Sequence, residues 1–274
     1  MLRGMAGIAA AILLLMVLFL CGESLLLLRE IGVSRFFTDS DWHPTSDRFN
    51  LVPMLLGTLL VSLGAVLLAT PCGIASALFC RYYSPPFLST LYRRLLELLA
   101  GIPSVVYGFW GLVVLVPLIN RWHPPGSSLL AGILVLALMI LPTVALVAEA
   151  SFASIPEAYW QSATALGLSR WSMIRGVMIP AAKSGLVTGV ILAGGRAIGE
   201  TMAVLMVCGN VVRVPHTVFD PVRTLTANIA LEMAYATGNH RSALFVTGLV
   251  LMGAISILIF VAEWLDRRWF AGVR

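Results

Sequence analysis

The chain has 274 residues, of which 59% are hydrophobic and only 11% charged, with a mean hydropathy of +0.94. That much apolar surface excludes a soluble globular domain and indicates an integral membrane protein. The formal charge of +5 arises from 18 Lys and Arg against 13 Asp and Glu, scattered between apolar runs with no basic block and no interleaved aromatic platform, which argues against nucleic-acid binding.

About 20 apolar residues cross a bilayer as a helix, and six runs qualify: Met5–Leu28, Leu51–Cys80, Leu95–Ile119, Leu129–Ala148, Leu186–Val207 and Ala243–Trp264. In the first, Arg3 followed by Ala6–Leu20 has the outline of a signal peptide. No small residue precedes Cys21, however, and the apolar run continues through Leu28, so a retained first span is expected. The loop Arg29–Asn50, with Asp39, Asp41, Asp47 and a Trp42-His43-Pro44 turn, is expected to be ordered, His43 serving as a loop hydrogen-bonder rather than a ligand. The second run is longer than a perpendicular span needs and should tilt or project.

Pro71 and Gly73, Gly101 and Pro103, and Pro142 interrupt the second, third and fourth runs. Each is compatible with an ordinary kink. Broken backbone in lipid is tolerated only where neighbouring helices or a water-filled cavity satisfy the freed groups, so these helices should pack closely around something. Cys21, Cys72, Cys80 and Cys208 share no metal-ligand spacing and are expected to act as small hydrophobes, with no disulfide and no metal.

Six spans place both termini on one side. With the N-terminus inside, ten basic residues fall inside, among them Arg3, Arg81, Arg93, Arg94, Arg267, Arg268 and Arg274, against seven outside, which favours an N-in, C-in arrangement. The segment 149–185 is then inside and 209–241 outside. No repeat and no linker separates a soluble domain, so the chain reads as one all-α membrane domain.

Between Ile155 and Pro180, apolar and polar residues alternate at helical spacing. Gly167 is expected to end a short helix in a left-handed conformation, Ser169 to cap the next, Pro180 to close that one, and Gly185 to mark the break before the fifth span. Such a helix-turn-helix buries its stripe against its own membrane domain or in a partner's groove. Ala181-Ala182-Lys183-Ser184 approaches a phosphate-cradling loop, but Val177 and Ala182 occupy both glycine positions, so this chain does not itself hydrolyse ATP. No catalytic triad or carboxylate pair is apparent either.

The fifth run carries Arg196 and Glu200, four residues apart and thus within about 40° of each other on a helix. Gly189, Ala193, Gly199 and Ala203 share that face, and Gly185-x-x-x-Gly189 and Gly195-x-x-x-Gly199 repeat a close-packing pattern. An arginine at mid-bilayer costs at least about 2.5–3.5 kcal/mol. Two roles are open: a buried structural ion pair, or a guanidinium fork for an oxyanion, oriented by Glu200.

Two motifs carry a resemblance. Gln161-Ser162-Ala163, Gly167 and Val177-Met178-Ile179-Pro180 keep the spacing of the loop that marks ABC importer permeases, with Gln161 where that loop has Glu. Gly195 to Val204, Gly-Arg-Ala-Ile-Gly-Glu-Thr-Met-Ala-Val, resembles the signature of phosphate ABC importer permeases of the PstC type. Glu97–Gly108 and Thr224–Glu232 resemble the same family. The resemblance implies a six-helix type I importer permease fold, with residues 1–50 as first span and periplasmic loop and 51–274 as the transmembrane domain. It implies a bacterial inner-membrane subunit that passes phosphate, with a coupling segment at 149–185 in which Gln161, Ser162, Ala163, Gly167 and Pro180 meet the ATPase. The expected partners are a PstA-like second permease, an ATP-binding subunit dimer that holds ATP and magnesium, a periplasmic phosphate-binding protein and membrane lipid. Arg196, Glu200 and Thr201, with Ser104 and Tyr107, are expected along the substrate path, and no cofactor is expected in this chain. The alternatives are a permease for sulfate, molybdate or phosphonate, an ATP-independent ion-coupled carrier using Arg196 and Glu200 as a relay, and a non-transporting scaffold.

Overall fold

In the computed structural model, which describes residues 2–270, the chain is almost wholly helical. In order, the elements are α1 (Leu2–Ile31), α2 (Arg35–Thr38), β1 (Trp42–His43), β2 (Arg48–Phe49), α3 (Val52–Leu78), α4 (Pro86–Gly101), α5 (Ser104–Trp110), α6 (Val116–Asn120) and α7 (Leu129–Ala153). There follow α8 (Glu157–Ala165), α9 (Arg170–Met173), α10 (Ile179–Gly199), α11 (Met202–Val207), α12 (Leu225–Glu232) and α13 (Gly238–Phe270). Of the basic residues counted on the inner side, Arg274 lies outside the described residues, as do the side chains of Arg3, Arg267 and Arg268.

Five helical stretches are long and apolar enough to cross a membrane among the described residues: Gly4–Ile31, Val52–Tyr83, Leu129–Ala153, Arg170–Gly199 and Gly238–Val261. The run expected to be a straight third span is instead two arms, Pro86–Gly101 and Ser104–Asn120, meeting at 92°, and a sixth crossing requires the pair to count as one. The cause is local. Pro103 forces Ile102 out of the helical region to ψ 129°, and Pro103 itself is extended at ψ 139°. The Tyr107 hydroxyl donates to the Leu99 carbonyl at 2.8 Å across the bend, a second donor to an acceptor that the Ile102 amide already reaches at 3.2 Å.

The fifth span also departs from expectation. Gly185 does not break the chain and Pro180 does not close a helix: one apolar helix runs from Arg170 to Gly199. A π-turn at Ile174–Met178, in which the Ile179 amide reaches back five residues to Ile174, takes up the strain of Pro180, whose ring faces the carbonyl of Gly176. The same device recurs at Gly111–Leu115 ahead of Pro117 and at Phe79–Tyr83 ahead of Pro85 and Pro86.

Lipid supplies no hydrophobic force between helices, so close packing of small residues must hold them. Gly57, Val61, Ala65, Ala69, Gly73 and Ala77 form a buried i, i+4 stripe on α3, and α7 lies along it. A Cβ on Gly73 would stand 2.8 Å from a Val144 methyl. Helix α10 packs against both α7 and α3, and on α7 a Cβ on Gly185 would come within 2.1 Å of the Ser151 Oγ. Gly185 and Gly189 thus do serve close packing, whereas a Cβ on Gly195 or Gly199 would meet nothing within 4 Å.

At one end of the bundle the 29–50 loop is ordered as expected. It forms α2 and an antiparallel hairpin pairing Trp42 with Phe49 and His43 with Arg48, and His43 Nδ1 lies 3.4 Å from Asp41. Phe36, Trp42, Phe49 and Leu51 pack with Leu225 and Leu244 into a capping cluster. Its polar centre is Glu232, 7% exposed, which accepts from the Trp42 indole at 2.9 Å and Arg223 Nη1 at 2.7 Å and pairs with His240 Nε2 at 2.8 Å. This unites the hairpin, α12, α13 and the loop before α12.

Candidate functional site

Where α10 ends, the chain leaves the helical region at Glu200 (φ −69°, ψ 131°) and re-enters helix at Met202. The face shared by residues four apart is lost there, so Arg196 and Glu200 are not stacked on one helix, and no ion pair joins them among the described residues. The Glu200 carboxylate turns to the next element: Oε1 accepts the Ala203 amide at 3.1 Å, satisfying one of the N–H groups that open α11. Its main-chain carbonyl accepts the Thr226 hydroxyl at 2.7 Å. Glu200 is therefore a cap at a break, not the orienting partner of Arg196.

Arg196 occupies the last turn of α10, where the carbonyl end of the helix favours a cation. It is half-buried, and its one hydrogen bond among the described residues runs from Nη1 to the Thr143 hydroxyl of α7 at 3.5 Å. The other guanidinium donors have no protein acceptor there. A fork held at one prong, with its remaining donors open, is equipped to take an anion.

The remaining expected path residues divide. Thr201 stands beside the break and donates to the Gly199 carbonyl at 3.3 Å. Tyr107 lies within electrostatic range of Arg196, because α5 packs directly on α11: a Cβ on Gly108 would be 2.8 Å from the Ala203 Cα. Its hydroxyl proton, however, is committed to the bend. Ser104 opens α5, half-buried, and makes no hydrogen bond with a described residue. Two interrupted spans thus meet, α4–α5 broken at Ile102–Pro103 and α10–α11 at Glu200–Thr201.

Sequence reasoning passed over Thr143 and Thr226. Thr143 carried one signal, a hydroxyl directly after Pro142 in an otherwise apolar run. Thr226 lay within the family-like stretch Thr224–Glu232, but nothing there pointed to its partner, a carbonyl 26 residues away.

At the far end of the bundle, α8 ends as expected. Gly167 is left-handed at φ +71°, the Leu168 amide bonds the Ala163 carbonyl at 3.2 Å and the Gly167 amide the Thr164 carbonyl at 2.9 Å, forming a Schellman cap. Ser169 Oγ then accepts the Ser172 amide to start α9. Ala163 is buried, while Gln161, Ser162 and Gly167 are exposed. Pro180 sits beyond this segment, inside the long helix.

Residues 69–271 match a family model described as the binding-protein-dependent transport system inner membrane component. The chain is 38% identical over 267 residues to a probable ABC transporter permease protein, YqgH, of Bacillus subtilis, covering 95% of this chain and 86% of that protein. It is 36% identical over 287 residues to the phosphate transport system permease protein PstC of Mesorhizobium japonicum, covering 95% and 88%. Among solved structures, an inward-facing MetNI methionine ABC transporter aligns with a TM-score of 0.64 at 17% identity, over 80% of this chain and 95% of that one. A bacterial alginate ABC transporter in complex with a pentasaccharide-bound periplasmic protein aligns at 0.65 and 18%, over 95% and 94%.

Proposed function

Since this chain belongs to the family of binding-protein-dependent transport system inner membrane components, we propose that it is the PstC-type permease subunit of an ATP-driven importer of inorganic phosphate. The chain is an inner-membrane, multi-pass subunit with the helical fold of ABC importer permeases, and the family implies an ATPase and a substrate-binding protein as partners. The observation that carries the substrate assignment is the likeness to PstC over 95% of the chain, joined to an arginine whose donors stand open at the meeting of two broken spans.

In this proposal both termini are cytoplasmic, the hairpin end faces the periplasm and α8 faces the cytoplasm. A PstA-like permease completes the cavity, and a periplasmic phosphate-binding protein delivers its load to the hairpin end. Two ATPase subunits hold ATP and magnesium and grip α8 through the residues around Ala163 and Gly167. A phosphate entering the membrane must replace its hydration with fixed donors, and Arg196 with the hydroxyls of Thr201 and Ser104 supplies them. Tyr107 and Glu200 act beside the path, the first by holding the bend and the second by capping α11.

The test is uptake of radiolabelled phosphate by proteoliposomes containing the four-component complex and ATP, with sulfate and molybdate as competitors. Saturable, ATP-dependent uptake resistant to both competitors is expected. Uptake displaced by sulfate or molybdate at equal concentration would reassign the substrate, and uptake without ATP would overturn the importer reading.

A further inference from the structure

Of the nine residues of α8, only Ala163 is buried, so few contacts tie this element to the spans. One of them is of a different kind from the rest. The Trp160 ring lies flat on the Tyr82 ring, 5.1 Å between centroids and 9° from parallel. Tyr82 meets the Phe152 ring edge-on, at 5.9 Å and 72°. Trp160 belongs to α8, Tyr82 to the π-turn that ends the α3 helix, and Phe152 to the last turn of α7. Phe152 is 1% exposed and packs in one cluster with Ala77 of α3, Ala148 of α7, and Ala182 and Leu186 of α10. Three rings therefore lead from an exposed helix to the point where three spans converge.

The surroundings of this ladder are not filled. A half-open cavity of about 390 Å³, lined also by Arg81, Glu157 and Met178, borders Tyr82, Trp160 and Phe152. A tightly packed core would hold these rings from all sides. Here Phe152 is fixed in its cluster, whereas Tyr82 and Trp160 border open space and have room to shift against it.

We infer that the Trp160–Tyr82–Phe152 ladder is the contact through which a displacement of α8 reaches α3, α7 and α10, with Trp160 and Tyr82 as positioning residues for transport. This rests on the proposal that α8 is where the ATPase subunits grip. Rings in stacked and edge-on contact attract one another and cannot interpenetrate, so a push on Trp160 is passed to Tyr82 and from there to the buried Phe152. Without the rings, α8 would follow the ATPases while the spans stayed behind.

The measurement is phosphate imported per ATP hydrolysed in the reconstituted complex. Trp160→Ala should co-purify with its ATPase subunits and hydrolyse ATP, while the ratio falls about two- to tenfold, the factor that one lost aromatic pair carries. Trp160→Phe keeps a ring and should recover most of the ratio. A wild-type ratio in Trp160→Ala, or a Trp160→Phe variant as poor as the alanine, would overturn the ladder. Should Trp160→Ala not assemble, Tyr82→Leu decides by the same criterion, since it removes the middle ring and leaves α8 untouched. Ser162→Arg, on the exposed side of α8, separates the two levels of argument: ATPase subunits that still bind this variant would refute the docking of α8 itself, whatever the ratios show.

Discussion

Thr226 donates its hydroxyl to the carbonyl oxygen of Glu200 at 2.7 Å, so the loop helix α12 fastens the break between α10 and α11. The carbonyl has no helical partner because the chain is extended there, and lipid cannot offer one. Thr226→Val keeps the shape and removes the donor, leaving that acceptor unpaired at a cost of about 1–3 kcal/mol. The expected result is a lower thermal unfolding midpoint for the purified permease, with Thr226→Ser close to wild type. An unchanged midpoint for the valine variant would mean that another group satisfies Glu200.

Arg196→Ala should abolish phosphate uptake while leaving assembly with the other subunits intact. Arg196→Lys keeps the charge but not the planar fork, and should retain only a fraction of the activity. Thr143→Val, which removes the one protein acceptor of the guanidinium, should lower uptake about two- to tenfold, the range of one modest hydrogen bond. Normal uptake by Arg196→Ala in a correctly assembled complex would remove the anion role.

Gly185→Ala should destabilise the protein because its Cβ would come within 2.1 Å of the Ser151 Oγ, and overpacking of this kind costs about 1–3 kcal/mol. Ser151→Gly in the same chain removes the obstacle, and the double variant should unfold at or above the temperature of Ser151→Gly alone, since alanine is the better helix former. A double variant as weak as Gly185→Ala would place the clash elsewhere.

The turn before α12 has a pH dependence of known sign. The Asp220 carboxylate accepts the amides of His216 at 2.8 Å and Thr217 at 3.0 Å and faces Arg213. These backbone donors, with a lesser contribution from Arg213, hold its pKa below the usual carboxylate value. A depressed folded-state pKa contributes order that is present above the ordinary value of about 4 and is lost as pH falls through the lower folded value. Amide exchange of residues 216–220, corrected for its intrinsic pH dependence, should therefore show constant protection from pH 8 to about pH 5 and a loss only below about pH 4. In Asp220→Asn protection should be lower throughout and free of that step.

Five of the six apolar runs fall on helices long and apolar enough to cross a membrane among the described residues, because membrane thickness imposes a length that composition alone reveals. What the runs could not show is where a helix continues into polar sequence. Residues 170–185 look like a separate amphipathic piece, yet they join the fifth span, since a π-turn absorbs Pro180 and Gly185 packs against Ser151 rather than breaking the backbone. The 92° bend at Ile102–Pro103 was marked by Gly101 and Pro103, but Pro71 and Pro142 carry similar marks inside α3 and α7. The difference is that at this bend two successive residues, Ile102 and Pro103, leave the helical region, which no sequence mark separates from the prolines that stay inside α3 and α7. At the site, Arg196 was legible from the expense of a charge in lipid. The task of Glu200 was not, because the four-residue spacing presumes a helix that ends one residue too early.

The π-turn at Ile174–Met178 has a further consequence for the rod that joins α9 to Arg196. Such a turn takes up one residue more than a regular helix would, so in a regular helix of the same sequence everything beyond it would stand rotated by about 100° and moved on by about 1.5 Å. The azimuth at which Arg196 meets Thr143 is thus set some twenty residues upstream. Deleting a single residue from 174–178 would restore a regular helix and leave the guanidinium facing Thr143, whereas straightening the turn with every residue kept would swing it toward a different neighbour. In comparisons of related chains, a gap of one position in this stretch is therefore compatible with an unchanged direction of the charge.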